Sequence, residues 1–75
     1  MFEKIRGLIA EQLYIDADTI KRDSDFKKDL GADSLDIVQM LIAMENEFGI
    51  SFEDEDLKEI QTVGQAVDKI EQKLQ

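Results

Sequence analysis

The chain contains no cysteine and no histidine. The first absence excludes disulfides and thiolate metal sites, and the second removes the side chain that most often serves as general base or metal ligand. No long apolar run is present either. The opening MFEKIRGLIAEQL is charged and periodic, which fits neither a secretory signal nor a membrane span and points to an intracellular, cytoplasmic protein. Length is short as well: 75 residues make one domain, 1–75, which buries only about 60% of the surface its unfolded chain exposes. Such a core leaves little room for an enclosed active site.

Positive charge is scarce in one region only. Residues 29–59 carry ten acids (Asp29, Asp33, Asp36, Glu45, Glu47, Glu53, Asp54, Glu55, Asp56, Glu59) against the single base Lys58, while the rest balances eight against eight. The whole net charge of −9 therefore sits mid-chain. Such a run serves as a solvated face or, more sharply, as an electrostatic guide for basic partners in quick, reversible encounters. It would repel nucleic acid.

The apolar residues recur at helical spacing, with no convincing strand alternation. Phe2, Ile5, Leu8, Ile9 and Leu13 predict a first helix over about 2–15, in which Gly7 costs about 1 kcal/mol relative to alanine. A long connection, Asp16 to Asp33, follows, with Ile20, Phe26 and Leu30 expected to pin it to the core. Connections of this length are uncommon in small domains and tend to be functional. A second helix is predicted from Ser34 to Phe48, ended by Gly49 and Ile50 as a glycine cap with its hydrophobic follower. A short helix from about Asp54 to Ile60, anchored by Phe52, Leu57 and Ile60, exposes a very acidic side. The last helix starts at Thr62, where Thr62 and Gln65 fit a capping box and Val63, Val67, Ile70 and Leu74 form a stripe for burial. The expected class is all-α: a four-helix bundle of three longer helices and a short third one, with a long loop between the first two.

On a wheel at about 100° per residue, the second helix shows two apolar arcs. Ile37, Met40, Leu41, Met44 and Phe48 form a core face; Leu35, Val38 and Ile42 fall in a separate arc. Ser34 and Glu45 lie between the arcs, and Asp36, Gln39, Asn46 and Glu47 take the polar side. The second arc is either an extension of the core face or a docking strip of apolar anchors ringed by charges.

The stretch GADSLDIV, residues 31–38, places Ser34 between Asp33 and Asp36. A nucleophile elbow requires glycine two residues before and after the serine, where Ala32 and Asp36 stand, and no histidine is available to activate the hydroxyl. An EF-hand loop beginning at Asp23 fails at Lys27, Lys28 and Ser34. No metal site is expected. Two readings remain: Asp33 or Ser34 caps the helix, or Ser34 is modified by an enzyme that brings its own base. A helix amino terminus suits the second reading, since free N–H groups and the positive dipole end favour an attached phosphate.

The segment DLGADSLDIVQMLIAMENEFGI closely resembles the second-helix region of acyl carrier proteins, whose hallmark is a D-S-L triplet after an L-G-A-D type turn. Helix order, length and acidity are similar to that family along essentially the whole chain. The resemblance implies a non-enzymatic carrier. Its Ser34 would bear 4′-phosphopantetheine, transferred from coenzyme A by a phosphopantetheinyl transferase (holo-acyl-carrier-protein synthase). The arm would carry growing fatty acyl chains as thioesters to the enzymes of dissociated fatty acid synthesis and to acyltransferases with basic docking surfaces. The implied recognition surface is Asp33, Leu35, Asp36, Val38, Ile42 and Glu45. Substitution of an exposed Glu45 is expected to leave stability within about 0.5 kcal/mol. Phe26, Leu30, Met44, Leu57, Ile60, Ala66 and Ile70 are candidates to line an acyl pocket and equally fit ordinary core. The implied state is a cytoplasmic monomer. Gln39 and Asn46 stand where many relatives have acids, and Glu53 replaces a proline often found before the short helix, which shifts expected recognition towards Asp36, Glu45 and residues 53–56. A polyketide, peptidyl or D-alanyl carrier, and an unmodified acidic helical adaptor gripping basic proteins through Leu35, Val38 and Ile42, are the alternatives.

Overall fold

A computed structural model describes all 75 residues, Met1–Gln75. Four helices appear in the expected order: α1 (Phe2–Leu13), α2 (Ser34–Phe48), α3 (Asp54–Glu59) and α4 (Val63–Leu74). Helix α1 packs against α2 and α4. Ile5 and Ile9 of α1, Met40, Leu41 and Met44 of α2, and Val63, Ala66, Val67 and Ile70 of α4 are buried. Each of the larger side chains contributes about 1.5–3 kcal/mol relative to exposure, against the ordering entropy of a small chain. No helix is long and apolar enough to cross a membrane.

Helix α1 ends two residues before the expected boundary. Tyr14 takes the left-handed conformation (φ 58°, ψ 44°) and the Ile15 N–H donates to the Ala10 carbonyl at 3.1 Å. Gly49 and Ile50 close α2 in the same way, with the Ile50 N–H on the Glu45 carbonyl at 3.1 Å. The pattern needs a residue at positive φ followed by one that packs inward. At Gly49 that conformation is free of Cβ strain, whereas at the exposed Tyr14 it costs about 1–2 kcal/mol.

The long connection is tied down along its length. Asp16 caps one turn of 3-10 helix, Ala17–Thr19. Ile20 and Phe26 are fully buried, and Leu30 packs partly buried against them. Further along, the loop hydrogen-bonds to the start of α4. The Val63 N–H donates to the Ser24 carbonyl at 3.0 Å, the Phe26 N–H to the Gln61 carbonyl at 3.2 Å, and the Gly64 N–H to the Arg22 carbonyl at 2.7 Å. A Cβ on Gly64 would stand 2.9 Å from that carbonyl oxygen, so only glycine permits the approach.

Two expected core residues lie outside it. Leu57 is exposed, because α3 is less than two turns long and buries no residue. Leu74 is exposed in the last turn of α4, beyond the level at which Ile70 closes the core. The short helix also stops at Glu59, with Ile60 buried beneath its end.

Candidate functional site

The turn before α2 positions Ser34. Gly31 adopts φ +72°, and the buried Ala32 donates its N–H to the Phe26 carbonyl at 2.8 Å, anchoring the turn to the core. Asp33 then extends and becomes the helix cap. Its Oδ1 accepts the Asp36 N–H at 2.9 Å, while Asp36 Oδ2 accepts the Asp33 N–H at 3.3 Å. The two carboxylates beside the serine therefore cap the helix reciprocally, and Ser34 is left free of that task. It is the first helical residue, it is exposed, and its hydroxyl makes no hydrogen bond within the chain. The N–H groups of Ser34 and Leu35 are also without acceptors, as first-turn donors are unless something outside the helix meets them.

The other serines differ. Ser24 is buried and its Oγ accepts the Lys21 N–H at 2.9 Å; Ser51 is exposed but lies in the connection between α2 and α3, two residues before the Glu53 cap and so outside the first turn of α3. Ser34 alone combines exposure with the positive end of a helix dipole, the setting that suits an attached phosphate. With no histidine and no base hydrogen-bonded to it, the hydroxyl can act as a nucleophile only when a partner supplies the base. No group of histidine, cysteine, aspartate or glutamate side chains is arranged to hold a metal ion.

Alongside Ser34, Leu35 is 64% exposed, Val38 46% and Ile42 49%, so the second arc of α2 faces outward. Val38 and Ile42, with Leu41, Phe52 and Leu57, border a cleft of about 120 Å³ between α2 and α3. Glu45 closes its end. Its Oε2 accepts the Phe52 N–H at 2.7 Å, so this half-buried carboxylate straps the α2–α3 connection to α2. The expectation of an exposed Glu45, open to substitution without loss of stability, is corrected by that bond and by the residue's partial burial. On the polar side of α2, Gln39 and Asn46 are exposed amides, and Glu47 pairs with Lys4 at 3.3 Å.

Helix α3 is held by charge rather than by burial. Asp56 turns away from solvent, with Lys73 Nζ at 2.7 Å and Lys69 Nζ at 3.5 Å from its carboxylate. The Glu53 N–H donates to Asp56 Oδ2 at 2.9 Å; that bond, with Lys73, holds the carboxyl down to about 2. Lys69 also bonds Glu59, which raises its own pKa. The acidic cluster at 53–56 is thus divided: Asp56 clamps α3 to α4, and Asp54 and Glu55 remain exposed without ion-pair partners.

The seven candidates for an acyl pocket do not share a cavity. Met44, Ala66 and Ile70 are sealed in the packed core and line none of the four surface clefts. Leu30 borders a polar cleft between the end of α1 and the start of α2. Phe26, Leu57 and Ile60 do meet, on the floor of a cleft of about 310 Å³ beside the first turns of α2. Sequence spacing could mark these residues as apolar, but not which of them a neighbouring element covers.

Comparisons with known proteins agree with this geometry. Residues 3–70 match the family described as "Phosphopantetheine attachment site". The acyl carrier protein of Clostridium acetobutylicum is 50% identical over 70 residues, covering 93% of this chain and 91% of that protein. Among solved structures, the acyl carrier protein of Enterococcus faecalis superposes with a TM-score of 0.79 at 36% identity, covering 96% of this chain and 91% of the other.

Proposed function

Because the chain belongs to the acyl carrier protein family, and is a carrier of 4′-phosphopantetheine rather than a catalyst, we propose that Ser34 is the attachment residue. The arm there carries growing fatty acyl chains as thioesters through dissociated fatty acid synthesis. The observation that carries this reading is the exposed, unbonded Ser34 hydroxyl on the first turn of a helix already capped by Asp33 and Asp36.

In the loading step a phosphopantetheinyl transferase removes the Ser34 hydroxyl proton. The serine oxygen bonds to the pantetheine-side phosphorus of coenzyme A, and the pyrophosphate linkage breaks to release adenosine 3′,5′-bisphosphate. The protein contributes a hydroxyl held clear of its own acids, free N–H groups beside it, and a dipole that favours the resulting phosphodiester. When loaded, the group supplies the thiol that a chain without cysteine lacks. Chemistry on the thioester belongs to the partner enzymes.

Those partners dock through basic surfaces onto Leu35, Val38 and Ile42, with Asp33, Asp36 and Glu45 beside them. The −9 net charge speeds such encounters. The 1–75 chain acts as one monomeric carrier domain in the cytoplasm. Incubation with coenzyme A and a broad-specificity transferase should add the mass of one phosphopantetheine to the wild type and nothing to Ser34→Ala. A wild type that gains no mass defeats the proposal.

A further inference from the structure

The chain has five aromatic rings, four of phenylalanine and one of tyrosine, and its own cations lie over two of them. Arg6 and Arg22 stand 5.5 and 5.7 Å from the Phe2 ring, and Lys4 stands 5.4 Å from that of Phe48. Phe26 is sealed in the core, and Phe52 is half-buried in the α2–α3 connection. Tyr14 is the exception: it is 94% exposed, and no lysine or arginine lies over its ring. Nothing in the fold asks for a ring at that point. The left-handed turn that ends α1 favours glycine, and so exposed a side chain buries almost no surface in return.

The ring stands on a cleft of about 340 Å³ between the end of α1 and the turn that positions Ser34. Glu11 borders this cleft one helical turn before Tyr14, and Gly31, Asp36 and Gln39 form its other side. Neither Glu11 nor Asp36 has an ion pair, Asp36 commits only one carboxylate oxygen to the Asp33 N–H, and no base borders the cleft. An exposed ring beside unpaired carboxylates is complementary to a guanidinium, whose plane stacks on the ring while its N–H fork meets a carboxylate. The place suits a visitor to Ser34. Around the α2 wheel Gln39 and Asp36 follow directly after Leu35, so the cleft continues the strip of Leu35, Val38 and Ile42. We infer that Tyr14 and Glu11 extend the docking surface for the phosphopantetheinyl transferase and seat an arginine of that enzyme between the ring and the carboxylates. This inference rests on loading at Ser34. Tyr14 and Glu11 are positioning residues: they hold the transferase over Ser34 and touch neither its hydroxyl nor coenzyme A.

The test measures loading of the apo protein by the transferase at varied protein concentration, with coenzyme A saturating. Tyr14→Gly removes the ring and suits the left-handed turn, so it should melt at or above the wild type. Its KM for loading should rise roughly fivefold with kcat unchanged, the order expected of a cation–π contact at a partly exposed site. Tyr14→Phe keeps the ring and should keep the wild-type KM. Glu11→Lys gives the cleft a cation of the chain's own and should raise KM at least as far as Tyr14→Gly does. Tyr14→Asn, whose residue type also tolerates the left-handed conformation, repeats the removal of the ring should the glycine variant unfold. A folded variant without the ring that loads with the wild-type KM overturns the inference and leaves attachment at Ser34 standing. So does a Glu11→Lys with the wild-type KM, or a Tyr14→Phe that loses as much as Tyr14→Gly. A wild type that takes up no phosphopantetheine overturns both readings.

Discussion

Met40 and Met44 on helix α2 are sealed in the core, whereas Leu35, Val38 and Ile42, on the same helix and no more polar, stand in solvent. The contrast does not come from composition. It comes from what faces each arc: α1 and α4 cover one side, while the other meets only α3, a helix of six residues held off by its own charged clamp. Leaving three large side chains exposed forgoes on the order of 1 kcal/mol apiece in a domain with little stability to spare. An apolar strip left open beside acids supports the docking surface proposed for it.

Substitutions across α2 test how far that division holds. Met44→Ala removes a fully buried side chain and should lower unfolding free energy by about 3 kcal/mol in urea titration. A loss below about 1 kcal/mol would show a core loose enough to collapse around the cavity. Glu45, on the border between the arcs, should fall between the extremes: Glu45→Ala strands the Phe52 N–H and is expected to cost about 1–2 kcal/mol. A change within about 0.5 kcal/mol would return Glu45 to the purely exposed class.

The clamp behind the strip should appear as pH dependence. Asp56 is held down to about 2 from an ordinary 3.8, so the folded chain binds that proton more weakly than the unfolded chain does. Its stabilisation is therefore complete above about pH 4 and is lost as pH falls towards 2. Asp25, lowered chiefly by the Lys28 N–H, acts in the same direction. Asp56→Asn should flatten the acid limb of the melting-temperature profile, and an unchanged limb would mean that the clamp carries no weight. The smallest stability effect belongs to the strip itself. Val38→Ser and Ile42→Ser are each expected to move unfolding free energy by no more than about 0.5 kcal/mol, yet to weaken transferase binding at least tenfold by titration calorimetry. Unaltered binding would remove the strip from the docking surface.

Helix α2 was legible in the sequence to the residue because chemistry marks both its ends: Asp33 and Asp36 at one, Gly49 with Ile50 at the other. Capping likewise marked Thr62 and Gln65 at the start of α4. The end of α1 was not legible, since Tyr14 occupies a left-handed position that its residue type does not announce. Leu57 and Leu74 joined helical stripes that their helices do not bury, because periodicity describes a face and not what covers it. The charges were the least readable. A count of acids locates the negative region, but not that Glu45 holds a backbone N–H or that Asp56 faces two lysines. Nor could it bring Lys58 to the same cleft as Lys27 and Lys28, about thirty residues away in the chain.

Everything on the working face is referred to Ser34, so the decisive measurement is where the modification sits. Protein loaded from coenzyme A by a transferase, then digested and mapped by tandem mass spectrometry, should carry phosphopantetheine on the peptide containing Ser34 and on no other. Modification of Ser51, the other exposed serine, or continued loading of Ser34→Ala, would contradict the account.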